Sequence, residues 1–97
     1  MTSSLVAVVL AAGGSTRLGR PKQLLTRDGE TLVHRAARLA LASGASPVLV
    51  IVGAYAGDVV AAVRDLPVEC MVNARWSEGL AGSVRIAVDA LASHDHA

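Results

Sequence analysis

A three-layer α/β/α domain with a parallel central sheet, in the order βαβαβα, is the fold class this chain predicts. Three observations predict it. Apolar runs rich in Val, Ile and Leu stand at Leu5–Leu10, Val48–Val52 and Val68–Val72, the length of strands rather than helices. After each run comes a stretch whose apolar residues recur at helical spacing. With 97 residues, 53% of them apolar and 18% charged, the chain makes one domain at most and is not disordered. Alternating strands and helices of this length imply right-handed crossovers onto a parallel sheet.

The elements follow in order. The first two runs are almost continuously apolar, as expected of central strands covered on both faces. From Thr31 to Ser43, Leu32, Val33, Ala36, Ala37, Ala40 and Leu41 form one helical face. His34, Arg35 and Arg38 fall on the other, solvated face, and Gly44 followed by Pro47 stops the helix. A second helix, from about Gly57 to Leu66, turns Val59, Val60, Val63 and Leu66 inward, with Asp58 near its positive end. A third, from about Gly79 to Ala92, buries Leu80, Val84, Ala87, Val88 and Leu91. Ligands of such sheets bind beyond the carboxyl ends of the strands. The segments there are Ala11–Gln23, Gly53–Gly57 and Asn73–Ser83, and the unusual residues cluster in the first and third. A sheet this small has two open edges, and the chain stops after a helix where another strand is expected. It reads as the first half of a larger domain, completed by a C-terminal half or by a homodimer.

Composition excludes several classes. A net charge of +1 gives no case for a nucleic-acid or acidic-membrane partner. Phe is absent and only Tyr55 and Trp76 are aromatic, so a base-stacking nucleic-acid surface is not expected. Leu5–Ala12 lacks the basic flank of a signal peptide and is too short to span a bilayer. A cytoplasmic protein is the expectation. The lone Cys70 rules out an internal disulfide, fits a reducing compartment and reads as a small buried hydrophobe. His94 and His96 form an H-x-H on a terminal tail, where a solvated pair is expected rather than a metal site.

The most informative stretch is Leu10 to Leu25, LAAGGSTRLGRPKQLL. Small residues (Ala11, Ala12, Gly13, Gly14, Ser15) give way to Arg17, Arg20 and Lys22, and the first 27 residues carry four basic side chains and no acidic one. Glycine lets backbone N–H groups approach a polyanion, and Arg and Lys supply countercharge. Phosphate is the anion such a loop suits. The dinucleotide fingerprint G-x-G-x-x-G is absent, because the glycines stand at 13, 14 and 19. Walker A fails as well: Gly14 to Gly19 has the spacing, but Arg20 and Pro21 replace its Lys and hydroxyl residue.

A third pattern fits. Leu10 to Leu24 resembles the signature L-A-A-G-x-S/T-x-R-M/L-G-x-x-K-x-L of nucleotidyltransferases of the molybdenum cofactor cytidylyltransferase type, within the MobA-like NTP transferases. Asn73 to Ser83 resembles the N-x-x-W-x-x-G-x-x-x-S block of the same group. The resemblance implies a Rossmann-like nucleotidyltransferase fold, with residues 1–97 as the N-terminal part of a single NTP-transferase domain and its C-terminal half absent. It implies that Leu10 opens the loop and that backbone around Ala11, Ala12 and Gly13 faces base and ribose. Gly14, Ser15 and Thr16 would line the triphosphate, and Gly79 and Ser83 would touch the nucleotide from the other side. Arg17 and Lys22 would act catalytically, holding the β- and γ-phosphates and stabilising the departing pyrophosphate. Ala12 tilts the base toward cytosine, CTP over GTP, since guanylyl-transferring members usually carry L-A-G-G. Family members bind Mg²⁺ through an aspartate in an Asp-x-Pro context on the next strand. No Asp-x-Pro occurs here, so the metal-binding Asp is expected beyond Ala97.

The expected function is therefore transfer of a nucleotidyl group, CMP from CTP, to a phosphorylated acceptor such as molybdopterin. Without the carboxylate this segment is expected to bind nucleotide weakly and turn over little. Alternatives are a non-catalytic nucleotide-binding or assembly module and a sugar-phosphate or isoprenoid-precursor nucleotidyltransferase. Pro21-Lys22-Gln23 bears some likeness to the latter, and the Asn73–Trp76 segment speaks against it. Taken singly, Gly13 and Gly14 are a strand–helix turn, Asn73 and Trp76 cap and cover a helix entrance, and Ser83 is an exposed helix serine.

Overall fold

The structure is a computed structural model that describes residues 5–17 and 19–94, with side chains to residue 92. Its main elements are β1 (Ala7–Ala11), α1 (Leu32–Ala42), β2 (Val48–Val52), α2 (Ala56–Ala62), β3 (Glu69–Val72) and α3 (Leu80–His94). The predicted order βαβαβα is the observed one. The strands form a parallel sheet in the order β1-β2-β3, with Val50 of β2 in register with Val9 on one side and Cys70 on the other.

Helices cover both faces. On one, Val33 and Ala37 of α1 and Val59 and Val63 at α2 pack on Ala11, Val50 and Val52. On the other, Ala87 of α3 packs on Ala12, Leu49 and Ile51. β2 is buried along its whole length, and each such Val, Leu or Ile is worth about 1.5–3 kcal/mol over its exposed state. This is a three-layer α/β/α architecture, of the Rossmann-like half-domain kind.

Helix limits have local causes. Thr31 caps α1, its Oγ1 accepting from His34 N–H at 3.2 Å. Gly44 ends α1 at φ +92°, a conformation that glycine adopts without strain. α2 stops at Ala62, short of the expected Leu66. Pro67 disfavours helical backbone at Leu66, and Val63 and Leu66 donate instead to carbonyls three residues back.

Several inward faces differ from expectation. β1 is an edge strand among the described residues, so Val8 and Leu10 are exposed rather than covered. Ala36 and Val60 are exposed, while Val33, Ala37, Val59 and Val63 carry the α1–α2 layer. In α3 the expected apolar face is rotated outward: Leu80 is 64% and Val88 57% exposed, and Val84 is exposed too. The helix presents its small residues, Ser83 and Ala87, to the sheet. Gly82 and Ser83 let it approach Asn73, since a Cβ at Gly82 would stand 3.3 Å from the Asn73 amide. Small residues permit close packing, and the larger ones are displaced to the flank.

The long loop after β1 is also more ordered than its composition suggests. Thr16–Arg17 pairs antiparallel with Arg20–Pro21, a 3₁₀ turn follows at Lys22–Leu24, and Thr26–Arg27 pairs with Glu30–Thr31. Asp28 and Gly29 close the second hairpin at φ +55° and +80°. An Asp-Gly pair with both φ positive is the two-residue turn that matches strand twist.

Candidate functional site

The loops after β1 and β3 meet at the carboxyl end of the sheet around a cleft of about 320 Å³. One wall is the glycine loop, with Ala12, Gly13, Ser15, Lys22 and Gln23; Leu10 sits behind it at the end of β1. The other is the start of α3, with Trp76, Gly79, Leu80 and Ser83.

Short-range bonds set the loop. Lys22 N–H donates to the Ser15 carbonyl at 2.9 Å, folding the basic turn back onto the glycine stretch. Ala54 N–H donates to the Ala12 carbonyl at 3.0 Å, tying the loop to the end of β2. Arg17 and Arg20 stand directly opposite each other on the first hairpin. Like charges so placed repel, and an anion between them relieves the repulsion. Among the described residues Arg17, Arg20 and Lys22 have no carboxylate partner.

The two adjacent glycines do different jobs. A Cβ at Gly13 would meet nothing within 4 Å, so this residue leaves the cleft open. A Cβ at Gly14 would lie 2.6 Å from Cζ3 of Trp76, and one at Gly53 would lie 2.6 Å from Cβ of the same residue. The indole rests in a notch that both glycines keep clear. The Gly53 half of that notch had no signal in the local sequence, because only the long-range position of Trp76 creates it.

The α3 wall is fixed by Asn73 and Ser83, which are 4% and 3% exposed. Asn73 Nδ2 donates to Ser83 Oγ at 3.0 Å, and Asn73 Oδ1 accepts from Arg75 N–H at 3.0 Å. Ser83 is thus a buried, bonded serine that lines the cleft, rather than the exposed helix serine it is when taken singly. Gly79 turns the chain at φ +114° into α3, a conformation that a side chain would strain. No acidic residue stands in the first turn of α3, so its free N–H groups present a positive end to the cleft.

Charge is arranged differently along α1. There His34 is not a free solvated residue: Nδ1 bonds Glu30 and Nε2 bonds Asp65 at 3.0 Å, while Arg38 makes a two-pronged bond to Glu30 at 2.8 and 2.9 Å. Bonds from Arg38 and then His34 hold the Glu30 carboxyl down to about 2. Bonds to Asp65 and then Glu30 raise His34, and the bond to His34 lowers Asp65. Burial pushes the Cys70 thiol up, which suits a packing residue.

Of the residues expected at a site, Leu10, Ala12, Gly13, Ser15, Lys22, Gly79 and Ser83 line the cleft. Ala11 points into the α1–α2 core, Gly14 lies under Trp76, and Thr16 and Arg17 sit one and two rungs out on the hairpin. Gln23, Trp76 and Leu80 line it in addition. No carboxylate lines the cleft, and among the described residues no three His, Cys, Asp or Glu side chains are grouped to hold a metal. Mg²⁺ binds through oxygen ligands, carboxylates above all, so this lining does not fit it. The H-x-H tail lies outside the described side chains. No described helix is long and apolar enough to cross a membrane.

A family model for the MobA-like NTP transferase domain matches residues 7–97. The chain belongs to that family. Nicotine blue oxidoreductase of Paenarthrobacter nicotinovorans is 44% identical over 91% of the chain and 43% of its own length. The bifunctional enzyme IspD/IspF of Erythrobacter litoralis is 35% identical over 93% of the chain and 24% of its own. A probable molybdenum cofactor guanylyltransferase of Opitutus terrae is 45% identical over 50% of the chain and 24% of its own. The chain therefore spans less than half the length of each of these relatives.

Proposed function

We propose that this chain is the nucleotide-binding part of a nucleotidyltransferase that moves CMP from CTP to a phosphorylated acceptor of the molybdopterin type, releasing pyrophosphate. One observation carries the reading. A cleft at the carboxyl end of a parallel sheet has a cationic glycine loop on one wall and the amino end of a 15-residue helix on the other, two anion-binding devices facing each other. In the reaction an acceptor phosphate oxygen forms a bond to the α-phosphorus while the bond to the bridging β-oxygen breaks. Lys22 and the amides of Gly13 to Ser15 neutralise charge gathering on the departing pyrophosphate, with Arg17 reaching in from the hairpin. Backbone around Ala12 and Gly13, with Ser83 opposite, holds base and ribose. A divalent cation belongs to the chemistry expected of the family, but the described residues offer it no carboxylate, and none of them is assigned to it.

The base is the finer question. Ala12 favours cytosine, while the Opitutus terrae relative is named a guanylyltransferase. The exposed edge of β1, with Val8 and Leu10, is where further strands complete the sheet, from a longer chain or from a second copy. The protein is assigned to the cytoplasm, with no nucleic-acid or membrane partner.

A second reading rests on the 44% identity to a protein named an oxidoreductase: the same cleft holds a redox nucleotide. Calorimetric titration with CTP, GTP, ATP and NADH, each with and without Mg²⁺, separates the readings. Saturable CTP binding that exceeds GTP supports the proposal. Binding of NADH alone favours the second reading, triphosphate binding that is independent of Mg²⁺ and without turnover favours a non-catalytic module, and no binding of any nucleotide removes all three.

A further inference from the structure

The sole tryptophan of the chain does more than cover a helix entrance. Trp76 is 37% exposed and lines the cleft, yet two of its sides are occupied by backbone. Its six-membered ring lies on Gly14 and its Cβ–Cγ end on Gly53, where an added Cβ would meet Trp76 Cγ at 2.9 Å and the Ala12 carbonyl oxygen at 3.0 Å. Neither glycine has a positive φ, so glycine is required at both by space for the indole and not by backbone conformation. The ring therefore joins three chain segments that are distant in sequence: the glycine loop, the end of β2 and the entrance to α3.

We infer that Trp76 is a positioning residue, a wedge that holds the Gly13–Ser15 amides in their polyphosphate-binding arrangement; this rests on the proposed nucleotide site. It acts on the phosphates through the loop and does not stack on the base. A polyphosphate, with or without a nucleoside, is the ligand class whose affinity it controls. Loss of the indole frees the loop to move by about an ångström, which in a preorganised site costs on the order of tenfold or more.

The test is calorimetry of the chain and of Trp76→Ala and Trp76→Phe with three probes: CTP, inorganic tripolyphosphate and cytidine. Thermal melting is run in parallel. The expected result is that Trp76→Ala weakens CTP and tripolyphosphate equally, by about tenfold, and that Trp76→Phe restores most of the loss. Weakening of CTP and cytidine with tripolyphosphate unchanged makes Trp76 a base platform and overturns the inference. A lower melting temperature with unchanged affinities makes it structural and overturns it too. Should Trp76→Ala fail to fold, Gly14→Ala pushes the same ring from the opposite side and must reproduce the tripolyphosphate loss. Absence of binding by the parent chain fails the proposed nucleotide site itself, and the wedge with it.

Discussion

Two clusters of charge flank the amino-terminal loop, and they are built on opposite rules. Along α1 every member is spent on the chain itself: Glu30 of the second hairpin, His34 and Arg38 of α1 and Asp65 of the turn after α2 bond one another. On the first hairpin and the turn after it, Arg17, Arg20 and Lys22 stand beside open backbone without a carboxylate partner among the described residues. Self-satisfied charge fastens a fold, whereas uncompensated charge next to glycine waits for a ligand. The two clusters share a segment, since the 3₁₀ turn carrying Lys22 leads directly into the hairpin that carries Glu30.

Charge reversal gives the largest contrast. Lys22→Glu places an acid on the cleft wall, and triphosphate affinity is expected to fall by on the order of a hundredfold with melting temperature almost unchanged, because the residue is exposed. Isothermal titration and a melting scan check both halves. If Lys22→Glu unfolds the protein instead, the basic cluster is structural and the distinction fails.

The adjacent glycines sharpen it next. Gly14→Ala drives a methyl into the Trp76 ring and is expected to cost about 1–3 kcal/mol in urea unfolding, the usual range for overpacking. Gly13→Ala meets no atom within 4 Å, so stability holds while nucleotide affinity falls several-fold. Asn73→Ala removes the partner of Ser83 Oγ and of Arg75 N–H, and about 1–3 kcal/mol is expected from leaving those groups unsatisfied.

The smallest effect belongs to the α1 cluster and is read in pH. Glu30 and Asp65 are lowered in the fold, Glu30 from 4.5 to about 2. Their contribution is present above about pH 4.5 and is lost as pH falls toward 2. His34 is raised above 6.5, so its contribution is complete below that pH and is lost as pH rises through the folded value. The cluster supports the fold most between about pH 4.5 and 6.5. His34→Gln is expected to lower the urea midpoint modestly within that window and to flatten its fall on either side, as befits an exposed network. A profile identical to that of the parent chain removes its role.

Much of this was legible from residue order. Apolar runs, the first two of them almost continuous, located the three strands, and Gly44 with Pro47 marked where α1 ends. The glycine loop and the Asn73–Ser83 block announced the two walls of the cleft because each carries its own local pattern. What escaped is long-range. His34 reads as solvated until the turn after α2 brings Asp65, 31 positions away, to its ring. The apolar residues of α3 surround most of the helix, so period alone chose the larger ones, while close approach to the sheet selected Ser83 and Ala87. The Asp28-Gly29 turn was available as a hairpin signal. Gly53 was not, since nothing near it names Trp76.

Titration of CTP into the chain and into Lys22→Glu, side by side in one buffer, tests the central claim most directly. Saturable binding by the first and binding weaker by on the order of a hundredfold by the second is the predicted result. Equal binding by both, or heat from neither, contradicts it.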